Sequence, residues 1–251
     1  MKKHIPNLIT SLNLLCGCVA ILFAVSGDLV LASFFVFTGI FFDFFDGLAA
    51  RLLKAHSEIG LQLDSLADMV TSGVAPAIVM AQLISRATVG SDIVITDFFS
   101  ETSWDTGWSS SWALFGLLIA VGSGYRLAKF NVDTRQTTSF IGLPTPANAL
   151  LILSLPLILH FQNSELATAL ILNPWFLLLL TLVSCVLLNA ELPLFGLKFK
   201  SWDLKANVVR YGFLVLCLIC IVLLEFVAIP VIILLYILIS LFWKDKEASS
   251  T

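Results

Sequence analysis

The chain has 251 residues, of which 59% are hydrophobic and 12% charged, with a mean hydropathy of +0.98 and a formal net charge of -3. That composition lies outside the range of soluble globular domains. The near-neutral balance, with cations confined to short segments between apolar runs, also excludes an extended nucleic-acid surface. The expected class is all-α, a polytopic helical membrane protein.

A bilayer core takes about 20 apolar residues per helix. Taken in chain order, spans are expected near 8-26, 29-53, 60-85, 111-131, 146-162, 173-190, 211-226 and 228-243, about eight in all. The first resembles a signal peptide, with Met1-Lys2-Lys3 ahead of it and small residues at Ala24 to Gly27. Because apolar spans continue to residue 243, it reads as a retained first span. The last two are short, and a tight hairpin near Glu225 and Pro230 is one reading of them. Cys16, Cys18, Cys185, Cys217 and Cys220 all fall within apolar runs and read as packing residues.

With the N-terminus inside, Lys2-Lys3, Arg51-Lys54, Arg126-Arg135, Lys198-Arg210 and Lys244-Lys246 are all cytoplasmic, and every Lys and Arg except Arg86 falls in them. The acidic, Ser-rich segment 87-110, with Trp104 and Trp108, suits an outer loop. An inner or plasma membrane location follows, with the N-terminus cytoplasmic.

Asp43, Asp46, Asp64 and Asp68 lie in or at the ends of the second and third spans, where an ionised group costs a few kcal/mol unless paired, hydrated or metal-bound. On a regular helix, Asp43, Asp46, Gly47 and Ala50 share one stripe, while Gly60, Asp64, Asp68 and Ser72 share another. The short connection makes the helices antiparallel neighbours, so the four carboxylates converge. Their charges repel unless divalent cations neutralise them, and all-oxygen ligation favours Mg²⁺ or Mn²⁺. One or two such ions suit phosphoryl chemistry. Gly47, Ala50 and Gly60 either leave room for a ligand or pack helices together. Arg51 either neutralises a phosphate or reaches to the interface.

The stretch D-F-F-D-G-L-A-A-R, eight residues, G-L-Q-L-D-S-L-A-D, from Asp43 to Asp68, resembles the signature of the CDP-alcohol phosphatidyltransferases. The resemblance implies a six-helix membrane core, commonly dimeric, whose site opens to the cytoplasmic leaflet. It also implies metals on the Asp residues, Asp68 as general base, and Gly47, Ala50, Arg51 and Gly60 around the CDP group. With P-N-L-I-T at 6-10, Y-R-L-A-K-F-N at 125-131 and G-L-P-T-P-A-N at 142-148, it is most similar to the branch that uses CDP-diacylglycerol and L-serine to give phosphatidylserine and CMP. Residues 1-162 then hold the signature and acceptor region, and 163-251 add helices to the same membrane domain. Only seven residues precede the first span, so the amphipathic N-terminal helix of some members is not expected.

A serine acceptor brings a carboxylate that needs a cation. Arg126, Lys129 and Arg135 are the candidates, or else they are topological anchors. Thr145-Pro146 reads as an N-cap and first-turn pair that can aim Asn148 toward the site. Asn7 and Thr10 share a face of the first span, and either bond the nucleotide or cap the helix. His4, His56 and His160 are followed two residues later by Pro6, Glu58 and Gln162, which excludes the H-x-K phosphohistidine route. Glycerol 3-phosphate or an inositol remains an alternative acceptor. A cation transporter is a remote alternative, and no repeat of the acidic segment supports it.

Overall fold

The computed structural model describes residues 4-55, 57-94, 110-133, 140-194 and 207-242. They form ten α-helices: α1 (Ile5–Val25), α2 (Leu29–Leu53), α3 (Glu58–Asp68), α4 (Ala75–Thr88), α5 (Leu118–Val132), α6 (Thr145–Phe161), α7 (Glu165–Ile171), α8 (Pro174–Asn189), α9 (Val208–Leu224) and α10 (Ala228–Phe242). The remaining regular structure is a π-helical turn between α3 and α4 (Met69–Val74), 3₁₀ segments ahead of α5 (Ser110–Leu117) and between α9 and α10 (Glu225–Val227), and a two-residue antiparallel pair, β1 (Phe140–Ile141) with β2 (Pro193–Leu194).

Among the described residues, five helices are long and apolar enough to cross a membrane, six when the bent α7 and α8 pair is one span; the expected count of eight is not reached by this measure. Two causes account for the difference. α6, with 17 residues, is short, and Val208–Leu241 counts as one apolar stretch although it breaks at Glu225. The Phe213 and Tyr236 rings are 5.9 Å apart, whereas a straight helix would hold them about 35 Å apart. α9 and α10 are therefore folded against each other. The Gln162 side chain secures the turn, donating to the Leu224 carbonyl and accepting from the Val227 N–H, both at 3.0 Å.

Local chemistry sets the helix boundaries. The Asp28 carboxylate accepts the Leu31 N–H at 3.0 Å to start α2, and Ser57 Oγ accepts the Gly60 N–H at 3.0 Å to start α3. The expected uninterrupted helix over 60-85 instead contains a π-helical turn at Met69–Val74, directly after Asp68. Pro76 offers no N–H and crowds the carbonyl four residues before it. The widened turn resolves this, and the Ala75 N–H reaches the Val70 carbonyl five residues back. Ser72, expected on a regular stripe with Asp64 and Asp68, lies within this π turn and is fully buried.

The Glu58–Thr88 run is the centre of the bundle, with 72% of its apolar window buried against 28% for α1. Met80, Leu83 and Ile84 pack with Ile119, Ile152 and Leu153 in the main core. α1 turns small residues inward, Gly17, Ala20 and Ala24, and leaves Leu8, Leu15 and Leu22 outward. That is the pattern of a helix with protein on one side and lipid on the other.

Candidate functional site

The acids gather at the end of the bundle where α2 finishes and α3 begins. Carboxylate oxygens of Asp43, Asp46 and Asp64 lie within 4.8 Å of one another. Asp68, one turn deeper on α3, lies beside Asp43 and Asp64. Asp46 is buried, and Asp43, Asp64 and Asp68 are half-buried. None of the four is in an ion pair among the described residues, whose ion pairs are Arg86 with Asp92 and Lys129 with Glu191.

The helices that carry the acids are not packed flank to flank as the short connection suggested. α1 lies against both, and α2 and α3 splay in front of it. In the wedge is a cavity of about 140 Å³, lined by Pro6, Asn7 and Thr10 of α1, Asp46, Gly47 and Ala50 of α2, and Ser57, Gly60 and Asp64 at the start of α3, with Ala55 and Leu61. A methyl group added at Gly47 would meet nothing within 4 Å, so this glycine faces space and not a neighbouring helix. At Gly60 it would come within 3.0 Å of Asn7 Oδ1 and 2.9 Å of Ser57 Oγ, so this glycine lets α1 approach closely.

Asn7 and Thr10 both reach this wedge, and Thr10 Oγ1 donates to Asp46 Oδ2 at 2.5 Å. Neither caps α1, whose start at His4 has no side-chain cap. Asn13, two turns beyond Asn7, was missed by sequence reasoning. Its amide donates to Asp68 Oδ1 at 3.4 Å, and it is fully buried. The signal was available: Asn7, Thr10 and Asn13 repeat every three residues in an otherwise apolar span, a pattern that marks an inward polar face. Arg51 is exposed, and its Nε donates to the Gly47 carbonyl of its own helix at 3.0 Å.

The acceptor candidates separate. Arg126 is buried, its guanidinium lies within electrostatic range of Asp68 without an ion-pair contact among the described residues, and it lies over the Phe130 ring at 5.8 Å. Lys129, one turn on, points away to Glu191, 3.4 Å distant and exposed. Asn131 of the same helix donates to Ser65 Oγ at 2.9 Å, tying α5 to α3 between the two acids. Arg135 lies outside the described residues. Asn148 is fully buried near the start of α6, and both its amide atoms are without a partner among the described residues. Thr145 is not the cap expected of it: Pro144 takes the cap position, and Thr145 is the first helical residue. What fixes this entry is Gly142. Its φ of +76° and the 2.7 Å separation between an added methyl and the Leu188 carbonyl admit only glycine, and its N–H bonds the Leu192 carbonyl at 2.9 Å.

Three facing carboxylates and no nitrogen or sulfur donor are a fit for a hard divalent cation. The arrangement can also bring an unpaired carboxylate, Asp68, up to a substrate hydroxyl beside a guanidinium.

Comparison with known proteins agrees with this geometry. A family model described as CDP-alcohol phosphatidyltransferase matches residues 3–187. The chain is 36% identical over 146 residues to a CDP-diacylglycerol–serine O-phosphatidyltransferase of Bacillus subtilis (strain 168), covering 57% of this chain and 70% of that one. It is 31% identical over 215 residues to the protein of that name from Helicobacter pylori (strain ATCC 700392 / 26695), covering 83% and 79%. To the Saccharomyces cerevisiae (strain ATCC 204508 / S288c) protein of that name it is 34% identical over 168 residues, covering 61% and 53%. The chain belongs to the CDP-alcohol phosphatidyltransferase family.

Proposed function

We propose that this member of the family transfers the phosphatidyl group of CDP-diacylglycerol to the hydroxyl of L-serine, giving phosphatidylserine and CMP. The relatives' names support the substrates, and the buried Arg126 guanidinium within electrostatic range of Asp68 is the single observation that carries the acceptor. Asp43, Asp46 and Asp64, with Asp68 at their edge, would hold one or two Mg²⁺ or Mn²⁺ ions. Such ions supply charge neutralisation for a diphosphate and for its leaving oxygen. Asn7, Thr10, Gly47, Ala50 and Gly60 would receive the CDP group in the wedge, and Arg51 would swing from its own helix to the phosphates.

In the proposed step the serine hydroxyl attacks the lipid-linked phosphorus, its proton passes to Asp68, and the phosphoanhydride bond to CMP breaks. Asn13 donates to one oxygen of Asp68 and so helps to orient the carboxylate that would accept that proton. Arg126 would grip the serine carboxylate and so set the hydroxyl against Asp68. The distribution of cations supports a cytoplasmic opening for this end of the bundle. The β1 and β2 pair and the Gln162 clasp support reading 163-251 as part of the same membrane domain.

The test is CMP release by the purified protein with CDP-diacylglycerol, Mn²⁺ or Mg²⁺, and a panel of alcohols. Release that depends on L-serine is expected. Release that depends instead on glycerol 3-phosphate or an inositol would overturn the acceptor.

A further inference from the structure

Buried polar atoms that neither the acid cluster nor the CDP wedge uses lie on three elements packed on one another, namely the π turn that directly follows Asp68, α5 and α6. Ser72 Oγ on the π turn, Ser123 Oγ and Arg126 Nε on α5, and both amide atoms of Asn148 on α6 have no hydrogen-bond partner among the described residues. All four residues are at least nine-tenths buried. Leaving such an atom unmatched is costly, and more so within a bilayer, where water cannot compensate. A group of them on three packed elements marks an occupant.

The elements place the atoms in register. The π turn packs against both α5 and α6. α3 and α5 run antiparallel here, with Asp68 within electrostatic range of Arg126 and the next residues along each helix meeting where an added methyl at Gly73 would lie 3.2 Å from Ser123 Cβ. The π turn thus holds the buried Ser72 hydroxyl one turn beyond Asp68, on an element packed against α5 and α6.

We propose that Ser72, Ser123 and Asn148 join Arg126 in a pocket that selects a small zwitterionic hydroxy compound as acceptor. The inference rests on the reading that the acceptor enters beside Asp68. The pocket offers both donors, from Arg126, the Asn148 amide and the hydroxyls, and acceptors, from Asn148 Oδ1 and the serine oxygens. A carboxylate takes the guanidinium, and an ammonium takes Asn148 Oδ1 and a hydroxyl. The phosphate of a phosphorylated alcohol presents only acceptor oxygens and a double charge to one guanidinium, and it offers no ammonium to Asn148 Oδ1.

The experiment is steady-state kinetics and thermal unfolding of the purified full chain carrying Ser72→Ala with Ser123→Ala. The expected result is a serine KM raised about tenfold, from two lost hydrogen bonds, with the CDP-diacylglycerol KM within twofold. The substrate-free melting temperature is unchanged or higher, because orphaned hydroxyls hold nothing together. An unchanged serine KM overturns the proposal. So does a lowered melting temperature with both KM values raised alike, which would make the hydroxyls structural. Asn148→Asp gives a second readout that misfolding cannot imitate: the ratio of ethanolamine to serine use should rise, since the new carboxylate competes for Arg126, and a constant ratio counts against the pocket. A wild type that ignores serine and uses a phosphorylated alcohol sinks both this inference and the function above, whereas a serine-dependent wild type with indifferent variants sinks the inference alone.

Discussion

The two ends of the bundle handle buried polarity in opposite ways. At the end away from the acids, Arg86 bonds Asp92 twice, at 2.5 and 3.1 Å, and also the Gly27 carbonyl at 2.6 Å. Next to it Gln82 donates to the Ala24 carbonyl and accepts the Ile93 N–H. Those groups close on one another and pin α1, α4 and the segment that follows α4. At the other end four carboxylates face each other with no described cation paired to them, and the polar atoms around Arg126 have no described partner. At the first end satisfied polarity pins helices together; at the second, unsatisfied polarity lies where the metal and acceptor are proposed to bind, although Ser184 Oγ and Asn189 Oδ1 on α8 are also without a described partner. The cavity beside Arg86, about 690 Å³, is larger than the wedge beside the acids, so size alone would pick the wrong end.

The comparison breaks first, and hardest, at the acids. Asp68→Asn should lower kcat by about 10²- to 10⁴-fold, the range of a general base, while CDP-diacylglycerol binding persists. Asp64→Asn should cost at least about 100-fold and also weaken Mn²⁺ binding, measured by titration. Equal losses of kcat and unchanged metal affinity in both variants would erase the distinction between ligand and base.

Next come the two cations of α5. Arg126→Ala should raise the serine KM by about ten- to a hundredfold, as expected for a buried charge-assisted contact, with little change for CDP-diacylglycerol. Lys129→Ala, which removes only an exposed pair with Glu191, should stay within about twofold. Steady-state kinetics on both variants decides between them, and reversed effects would relocate the carboxylate contact.

A pair of glycines sharpens the contrast between ligand space and packing. Gly47→Ala adds a methyl to open cavity, so it should raise the CDP-diacylglycerol KM several-fold and leave the melting temperature alone. Gly17→Ala drives a methyl into Thr71, against the backbone of the π turn, and should lower stability by about 1–3 kcal/mol from overpacking. The smallest effect on catalysis is expected at the satisfied end. Arg86→Ala should lower stability by about 1–2 kcal/mol, because the clasp is partly exposed, and should spare kcat and both KM values in the folded fraction.

Much of this was legible in the sequence. Hydropathy placed the helices to within a few residues, since a bilayer demands continuous apolar runs whatever the packing. The acids stood out because charge in such runs is costly, and their spacing carried the family signature. What stayed hidden depends on tertiary contact. Arg126 and Lys129 look equivalent by spacing, and only Glu191 of another helix separates them. The π turn follows from Pro76 meeting a helix that must continue, which periodicity counting treats as regular. Asn13 extends the three-residue polar repeat of Asn7 and Thr10, but that spacing alone does not say which group it meets, and its partner, Asp68, is on another helix. The wedge between α2 and α3 depends on α1 standing behind both, and no local pattern encodes that.

The most direct measurement of the central claim, that the unpaired acids are a divalent-metal site for phosphoryl transfer, is CMP release from CDP-diacylglycerol and L-serine by chelator-stripped protein before and after metal is restored. The account predicts no release from the stripped protein and recovery with Mn²⁺ or Mg²⁺, while Asp64→Asn recovers little at any metal concentration. Full activity in thoroughly stripped wild-type protein would contradict it.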